Sequence, residues 1–302
     1  DHRACFKGVF REFNLLCRKL ELFGAELVAI DGAKFKAVNS PKRHYSSEQL
    51  QELIGKIDQR IEEYLGRLEA EDAASEGVAG APSKAELQAK LESLKERRAD
   101  YQTWQQAMVQ AGETEISLTD PDSRGQKKVG VGYNVQVAVD AKHDLIVAAE
   151  VVQDQNDRAQ LHPMAVAARV ELEEPQLSVV ADTGYHEAGQ LEQCEKAGLT
   201  TYVPASVGAG GHSRDGREVY PKDSFHYDAA RDLYACPAGQ ELTFRGTGQN
   251  QGKDRRYYYN LAACAACPQR AQCTAAPYRK IARLANEAVV ERQAERVAAK
   301  PE

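Results

Sequence analysis

Two aspartates close two short apolar runs of similar grammar: Leu27-Val28-Ala29-Ile30-Asp31-Gly32 and Leu177-Ser178-Val179-Val180-Ala181-Asp182-Thr183-Gly184-Tyr185. Runs rich in β-branched residues and bounded by glycine predict buried strands. An acid at the end of such a strand cannot be buried bare, so it needs a hydrogen-bond partner, a cation or a metal. Either aspartate alone reads as a turn residue. Two copies at the carboxyl ends of two core strands are how an α/β sheet gathers oxygen ligands for a hard metal. Lys34 and Lys36, just beyond Asp31, either position phosphate or form a solvated strand end. His186 reads as a helix-start residue rather than a ligand. A second constellation is Cys236, Cys264, Cys267 and Cys273. The Cys264-x2-Cys267 spacing is one half of a zinc knuckle, with Cys236 and Cys273 able to supply the other two thiolates. The alternative is four reduced thiols packed in a small loop module. Zinc held by four thiolates would be structural, since no position stays open for catalysis.

The elements that must position these residues follow from composition and periodicity. At 302 residues, 42% hydrophobic and 28% charged, the chain has material for one large domain or two smaller ones. No apolar run approaches a membrane span and nothing resembles a signal peptide, so a cytoplasmic protein without a membrane partner is expected. Seven cysteines, four of them between Cys236 and Cys273, then favour metal over disulfides. The chain begins at Asp1 rather than Met, so an upstream start is expected. The net charge of −6 is uneven. Glu48 to Asp100 holds 13 acids and 8 bases, whereas Lys253 to Arg283 holds 7 bases and 1 acid. A basic stretch carrying Arg255, Arg256 and Lys280 beside a carboxylate site is compatible with DNA, whatever the whole-chain charge.

In chain order, Phe6, Val9, Phe10, Phe13, Leu16, Cys17, Leu20 and Phe23 predict an amphipathic helix over 4–23 that stops near Gly24. After the Asp31 strand comes a turn at Asn39-Ser40-Pro41. Helical spacing from Leu50 to Leu68 and again from Leu87 to Met108, broken by Glu71–Ser83, predicts an antiparallel helical hairpin that acts as a spacer or dimerisation arm. From Gly130 the period becomes two, and a β-hairpin turns at Asp140–Asp144. A helix over 160–170, capped by Asp157 or a neighbour, leads to the Asp182 strand. A helix at Glu187–Ala197, a strand at Thr200–Val203 and a loop at Gly208–Gly211 follow. Next comes a module rich in Cys, Tyr, Pro and Arg, and then a helix from Ala285 to Ala299. Asp120 and Asp122 read as turn residues before the hairpin.

These segments in this order resemble a bacterial insertion-sequence transposase of the DDE class. The resemblance is carried by Val28-Ala29-Ile30-Asp31-Gly32-Ala33-Lys34, Thr119-Asp120-Pro121-Asp122, Gly132-Tyr133-Asn134-Val135-Gln136, Asp154-Gln155-Asn156-Asp157 and Ala181-Asp182-Thr183-Gly184-Tyr185. The four cysteines fit a subgroup of these proteins. The resemblance implies an α/β fold with a ribonuclease H-like mixed sheet, interrupted by a helical-hairpin insertion and a cysteine-rich insertion. The implied organisation is 1–44 for the first helix and catalytic strand, 45–112 for the hairpin and 113–207 for the rest of the core. The cysteine module then takes 208–280 and a last helix 281–302. In such transposases two Asp and one Glu hold two Mg²⁺ or Mn²⁺ ions, and the two Asp map to Asp31 and Asp182. The Glu motif is expected just beyond Glu302, and Glu287, Glu291, Glu295 and Glu302 lie in the context of a plain surface helix. The implied chain is truncated at both ends and inactive alone. Its implied activity is cleavage and transfer of DNA at terminal inverted repeats, by a homodimer in the full-length form. Two other readings stay open: an inert DNA-binding remnant, and a ribonuclease H-like nuclease.

Overall fold

The computed structural model describes residues 3–38, 43–73, 84–126, 130–205, 216, 218–250 and 252–299. The turn expected at Asn39-Ser40-Pro41, the loop expected at Gly208–Gly211, residues 74–83 of the helical link and Glu302 lie outside the described residues. The first elements are α1 (Arg3–Lys19), β1 (Leu27–Lys36), β2 (His44–Ser46), α2 (Ser47–Ala73), α3 (Lys84–Ala111), β3 (Glu115–Ser117) and β4 (Arg124–Gln126). Then come β5 (Gly130–Asp140), β6 (Leu145–Val152), α4 (Leu161–Leu172), β7 (Ser178–Ala181), α5 (Ala188–Lys196) and β8 (Thr200–Tyr202). The last stretch holds β9 (His226–Asp228), β10 (Leu233–Ala235), β11 (Glu241–Asn250), β12 (Lys253–Tyr259), α6 (Leu261–Ala265), α7 (Arg270–Cys273), β13 (Ile281–Leu284) and α8 (Glu287–Ala299).

The largest sheet runs β4-β5-β1-β7-β8, with β6 also paired to β5. β1, β7 and β8 are mutually parallel neighbours, whereas β4 is antiparallel to β5. The order β6-β5-β1-β7-β8, with helices after β6 and β7 and with α8 following the second sheet that comes after β8, is a ribonuclease H-like mixed α/β arrangement. The chain divides into two compact units. One comprises Asp1–Asp31, Gln136–Glu150 and Asp157–Glu302; the other comprises Gly32–Val135 and Val151–Asn156.

The core of the first unit gathers Val28, Ile30, Leu161, Met164, Leu177, Val179, Leu191 and Val203. On α4 the buried residues Leu161, Met164, Ala165, Ala168 and Leu172 recur at three- and four-residue steps, the apolar stripe of a helix laid on a sheet. That helix starts later than the sequence suggests, and Gln160 at its N-cap makes no side-chain cap. Asp140, expected as a hairpin-turn residue, is buried and accepts hydrogen bonds from the Gly24, Ala25 and Lys142 amides. It thereby fixes the chain entering β1. The α1 helix forms as its periodicity predicts but buries only one edge of the expected stripe: Cys17 is buried together with Asn14 and Phe10 is half-buried, while Phe6 is 74% exposed and Val9, Phe13, Leu16 and Leu20 are also exposed. Asn14 donates to the Val147 carbonyl at 2.7 Å, and this polar contact takes the inward place.

The cysteine-rich stretch contains a regular five-stranded antiparallel sheet, ordered β13-β12-β11-β10-β9. It has its own core of Phe225, Tyr234, Leu242, Tyr258 and Ile281. No aliphatic alternation announces these strands, because tyrosines and arginines occupy the alternating positions.

In the second unit, α2 and α3 pair around Leu50, Ile57, Leu87, Leu91 and Met108. Ser46 opens α2 with a reciprocal capping box: Gln49 N–H donates to Ser46 Oγ, and Ser46 N–H donates to Gln49 Oε1. At that end of the hairpin Tyr45, Tyr101 and Trp104 stack with ring centroids 5.3–5.9 Å apart.

Candidate active site

β1 and β7 align with Leu27 opposite Ser178, Val28 opposite Val179, Ala29 opposite Val180 and Ile30 opposite Ala181. One further step along each strand puts Asp31 beside Asp182. Parallel strands lie about 5 Å apart, so two residues 151 positions apart in sequence become neighbours at the carboxyl end of the sheet. The strands form because Val28, Ile30, Val179 and Ala181 are buried in the core. Asp31 and Asp182, one position beyond, are exposed.

The Asp182 carboxylate turns over the chain that follows. Its Oδ1 accepts the Gly184 amide at 2.8 Å and caps the single 3₁₀ turn Thr183–Tyr185. A β-carbon on residue 184 would stand 2.9 Å from that oxygen, so the glycine leaves room for the carboxylate. The turn sends Tyr185 inward, where it is 1% exposed and donates to Gln136 Oε1 at 2.5 Å. The other end of Gln136 donates from Nε2 to Asp157 Oδ1 at 2.7 Å. Burial raises the Tyr185 pKa strongly, and the charges of Asp157, Asp31 and Asp182 add to the rise. The phenol is therefore a permanent donor, and three carboxylates act on one buried hydroxyl.

Asp157, expected to cap α4, instead anchors this network. Gln136 and Tyr185 stand in two of the motifs quoted from the sequence but carried no expected role there. The available signal was the alternation in β5, where Asn134 and Gln136 are fully buried while Tyr133, Val135, Val137 and Val139 are half-buried. A buried glutamine in a central strand must find partners at both ends of its amide.

Beyond the turn, His186 precedes Glu187, the N-cap of α5. Burial lowers the His186 pKa, and the Lys253 charge lowers it further, so the ring is neutral near pH 7. Burial opposes the Glu187 charge, but Lys253, whose ammonium lies 2.5 Å away, and the Gln190 and Gly189 amides hold the carboxyl below its usual range. This ion pair joins the start of β12 to the turn that follows Asp182.

The carboxylates of α8 have other partners. Glu287 accepts from Lys222 at 2.5 Å and from the Leu284 amide, and Glu291 takes both arms of the Arg283 guanidinium. Glu295 is exposed. The donor chemistry of Asp31 and Asp182, two exposed carboxylates following the ends of the paired segments of adjacent strands, suits Mg²⁺ or Mn²⁺ with water filling the remaining positions. Among the described residues, however, no three His, Cys, Asp or Glu side chains are grouped so as to hold a metal ion.

Lys34 is half-buried and Lys36 exposed in the later part of β1. Of the five bases expected to meet DNA, Arg256 is turned inward: it pairs with Asp232 and lies over the Phe244 ring at 4.6 Å. Arg255 and Lys280 lie on the opposite face, as the strand registers require. Cys236, Cys264, Cys267 and Cys273 line one small cavity of about 20 Å³. Burial raises the Cys273 pKa, and the other three sulfurs add to the rise. All seven cysteines are free thiols.

A ribonuclease H-like sheet with paired acids at its carboxyl edge defines a class of enzymes that cut and rejoin nucleic-acid strands. A transposase DDE-domain family model matches residues 113–263, and a second transposase DDE-domain model matches residues 235–302. The chain belongs to the DDE transposase family, and its domain is that of a polynucleotidyl transferase acting in DNA transposition and recombination. The matched stretches include Asp182 and the four cysteines; Asp31 precedes them. No curated protein and no solved structure gives a significant match. Among the described residues no helix is long and apolar enough to cross a membrane.

Proposed function

We propose that this chain carries out divalent-metal-dependent cleavage and strand transfer at the terminal inverted repeats of an insertion sequence, with Asp31 and Asp182 as its two catalytic carboxylates. The observation that carries the reading is the β1–β7 register, which brings both acids to the same end of adjacent strands. When bound, a Mg²⁺ or Mn²⁺ pair neutralises charge on the entering and leaving oxygens of the phosphodiester. The chain's own work is to hold and orient. Asp31 and Asp182 supply the ligands, and the Gly184 amide sets the direction of the Asp182 carboxylate. Tyr185, a donor to Gln136, and Gln136, a donor to Asp157, hold the Asp157 side chain in place. The Glu187–Lys253 pair steadies the turn. Lys34, Lys36, Arg255 and Lys280 supply phosphate contacts, and a homodimer pairs the two element ends. Cys236, Cys264, Cys267 and Cys273 line one cavity, but they are not grouped so as to hold a metal ion, and no structural Zn²⁺ is assigned to them.

Two carboxylates hold a metal pair weakly, and no three-ligand group occurs among the described residues. Cleavage therefore calls for a third carboxylate beside Asp31 and Asp182. That observation also favours a second reading, an inert DNA-binding protein. A nicking assay on DNA bearing terminal repeats, with Mg²⁺ or Mn²⁺, separates the two. A form that carries the family's third acid is expected to nick, and Asp31→Ala or Asp182→Ala to abolish nicking and the calorimetric Mn²⁺ signal together. Undiminished cutting by Asp182→Ala would refute the active-site assignment, and an inert third-acid form would favour the second reading.

A further inference from the structure

The sheet formed by β11, β12 and β13 has two chemically opposite faces. In an antiparallel pair, residues opposite each other share a face. Tyr258 pairs with Phe244 and Ile281, and Arg256 with Thr247 and Arg283. This is the inward face: Tyr258 and Ile281 are buried, and its arginines are neutralised by Asp232 and Glu291. The alternate residues of β12 are Lys253, Arg255, Tyr257 and Tyr259. Beside them stand Asn250, Gly248, Gly246 and Thr243 on β11, and Leu284 and Ala282 on β13. Lys280, one residue before β13, continues that row. Across these strands, among the described residues, this second face carries cations, tyrosines and glycines, and its one acid, Glu241 at the start of β11, is paired with Arg231.

Each part of that face suits an unpaired nucleotide. Tyr257 reaches across Gly248, where a β-carbon would come within 3.0 Å of its ring, so glycine keeps the surface flat beside it. The Lys280 ammonium lies 3.7 Å from the centroid of the Tyr257 ring, a flexible cation already beside an aromatic face. Tyr259 and Tyr278 form a second aromatic pair, with centroids 4.9 Å apart. Among the described residues neither Arg255 nor Lys280 forms an ion pair, and the buried Arg255 Nε lacks a hydrogen-bond partner. The row from Lys253 to Tyr259 is about 20 Å long at strand rise. Its first residue is tied to Glu187, five positions after Asp182.

We propose that this face is a single-strand DNA platform, on which unpaired bases stack against Tyr257 and Tyr259 while Arg255 and Lys280 meet the phosphates. A duplex hides its base faces and could use only the cations, whereas aromatic rings beside a flat glycine strip serve splayed bases. The proposal rests on the transposase reading for the presence of DNA and assigns the strand form that this surface takes.

The test is fluorescence anisotropy with labelled oligothymidylate and with a random duplex, both in EDTA so that the acid pair plays no part. Oligothymidylate is expected to bind about tenfold more tightly than duplex. Tyr257→Ala should lose about tenfold for the single strand and change duplex binding less than twofold, whereas Tyr257→Phe keeps the ring and the affinity. Ala282→Glu, which puts an acid beside Tyr257 without removing a ring, should weaken single-strand binding even if Tyr257→Ala fails to fold. Lys280→Ala should reduce the salt slope by about one. The proposal is overturned if duplex binds as tightly as the single strand, or if folded Tyr257→Ala and Ala282→Glu bind oligothymidylate unchanged. Either result leaves the nicking test of Asp31 and Asp182 standing, and failure of that test leaves single-strand binding in EDTA unaffected.

Discussion

Asp182 illustrates how much one residue does at this site. Its carboxylate caps a three-residue turn, and the turn drives Tyr185 into the core where it meets Gln136. Gln136 in turn serves two masters, accepting from the phenol and donating to Asp157. Because Gln136 and Tyr185 are buried, each partner left alone is a desolvated polar group without a hydrogen bond. Gln136→Leu, close in volume, should therefore destabilise the fold by about 2 kcal/mol and Tyr185→Phe by about 1 kcal/mol. The double variant should cost less than the sum, because both remove the same bond. Urea denaturation of the three variants checks this, and strict additivity would show that the network is not coupled. At this scale the sequence displayed the acids but not their partners. Asp157 looked like a helix cap because it precedes a helix, and only the fold supplied an amide donor across 21 positions.

At the scale of elements, α8 is tied to its neighbours by ion pairs around the buried Val289 and Gln293. Arg292 and Arg296 converge on Glu195 of α5, and Glu291 grips Arg283 of β13. Beneath them Gln293 is buried, accepts from the Thr201 hydroxyl and donates to the Val203 carbonyl. Hydrogen bonding to Arg292, with further help from Arg296 and against some burial, lowers the Glu195 pKa; Arg283 does the same for Glu291. A carboxylate whose folded pKa lies below its unfolded value stabilises the fold fully above the unfolded value, near 4.3 for Glu. That contribution fades as pH falls through the lower folded value. Hydrogen exchange should show α8 as protected at pH 6 as at pH 8 and opening ahead of the core strands below about pH 4. Equal loss across α8 and β7 would contradict this. In the helical hairpin the corresponding device is the Ser46–Gln49 box, so Ser46→Ala should cost about 1 kcal/mol in thermal denaturation. The helices were legible from their 3.6-residue period. The sheet of β9 to β13 was not, since tyrosine and arginine at its alternating positions carry no hydrophobic signal.

For the molecule as a whole, the charge divides along the chain as the two units do. The acidic hairpin belongs to one, and the basic sheet with the aspartate pair to the other. Among the described residues, none between 32 and 135 belongs to the main core cluster. Replacing residues 48–106 with a short Gly-Ser bridge should therefore leave a cooperative unfolding transition for that core, followed by calorimetry. Its loss would make the hairpin part of the same folding unit. The sequence by itself determined the long helices and the strands β1 and β5 to β8, because burial period, β-branching and capping act over a few residues. It also displayed the motifs that resemble a DDE transposase, because the acids, glycines and cysteines are chemical necessities written at fixed places. What only the tertiary structure decided are the long-range choices: Asp31 beside Asp182, Gln136 between Tyr185 and Asp157, Asn14 rather than Phe13 turned inward on α1, and Arg255 outward with Arg256 inward. Each depends on register and packing between segments far apart in sequence, where a shift of one residue would exchange the two faces of a strand.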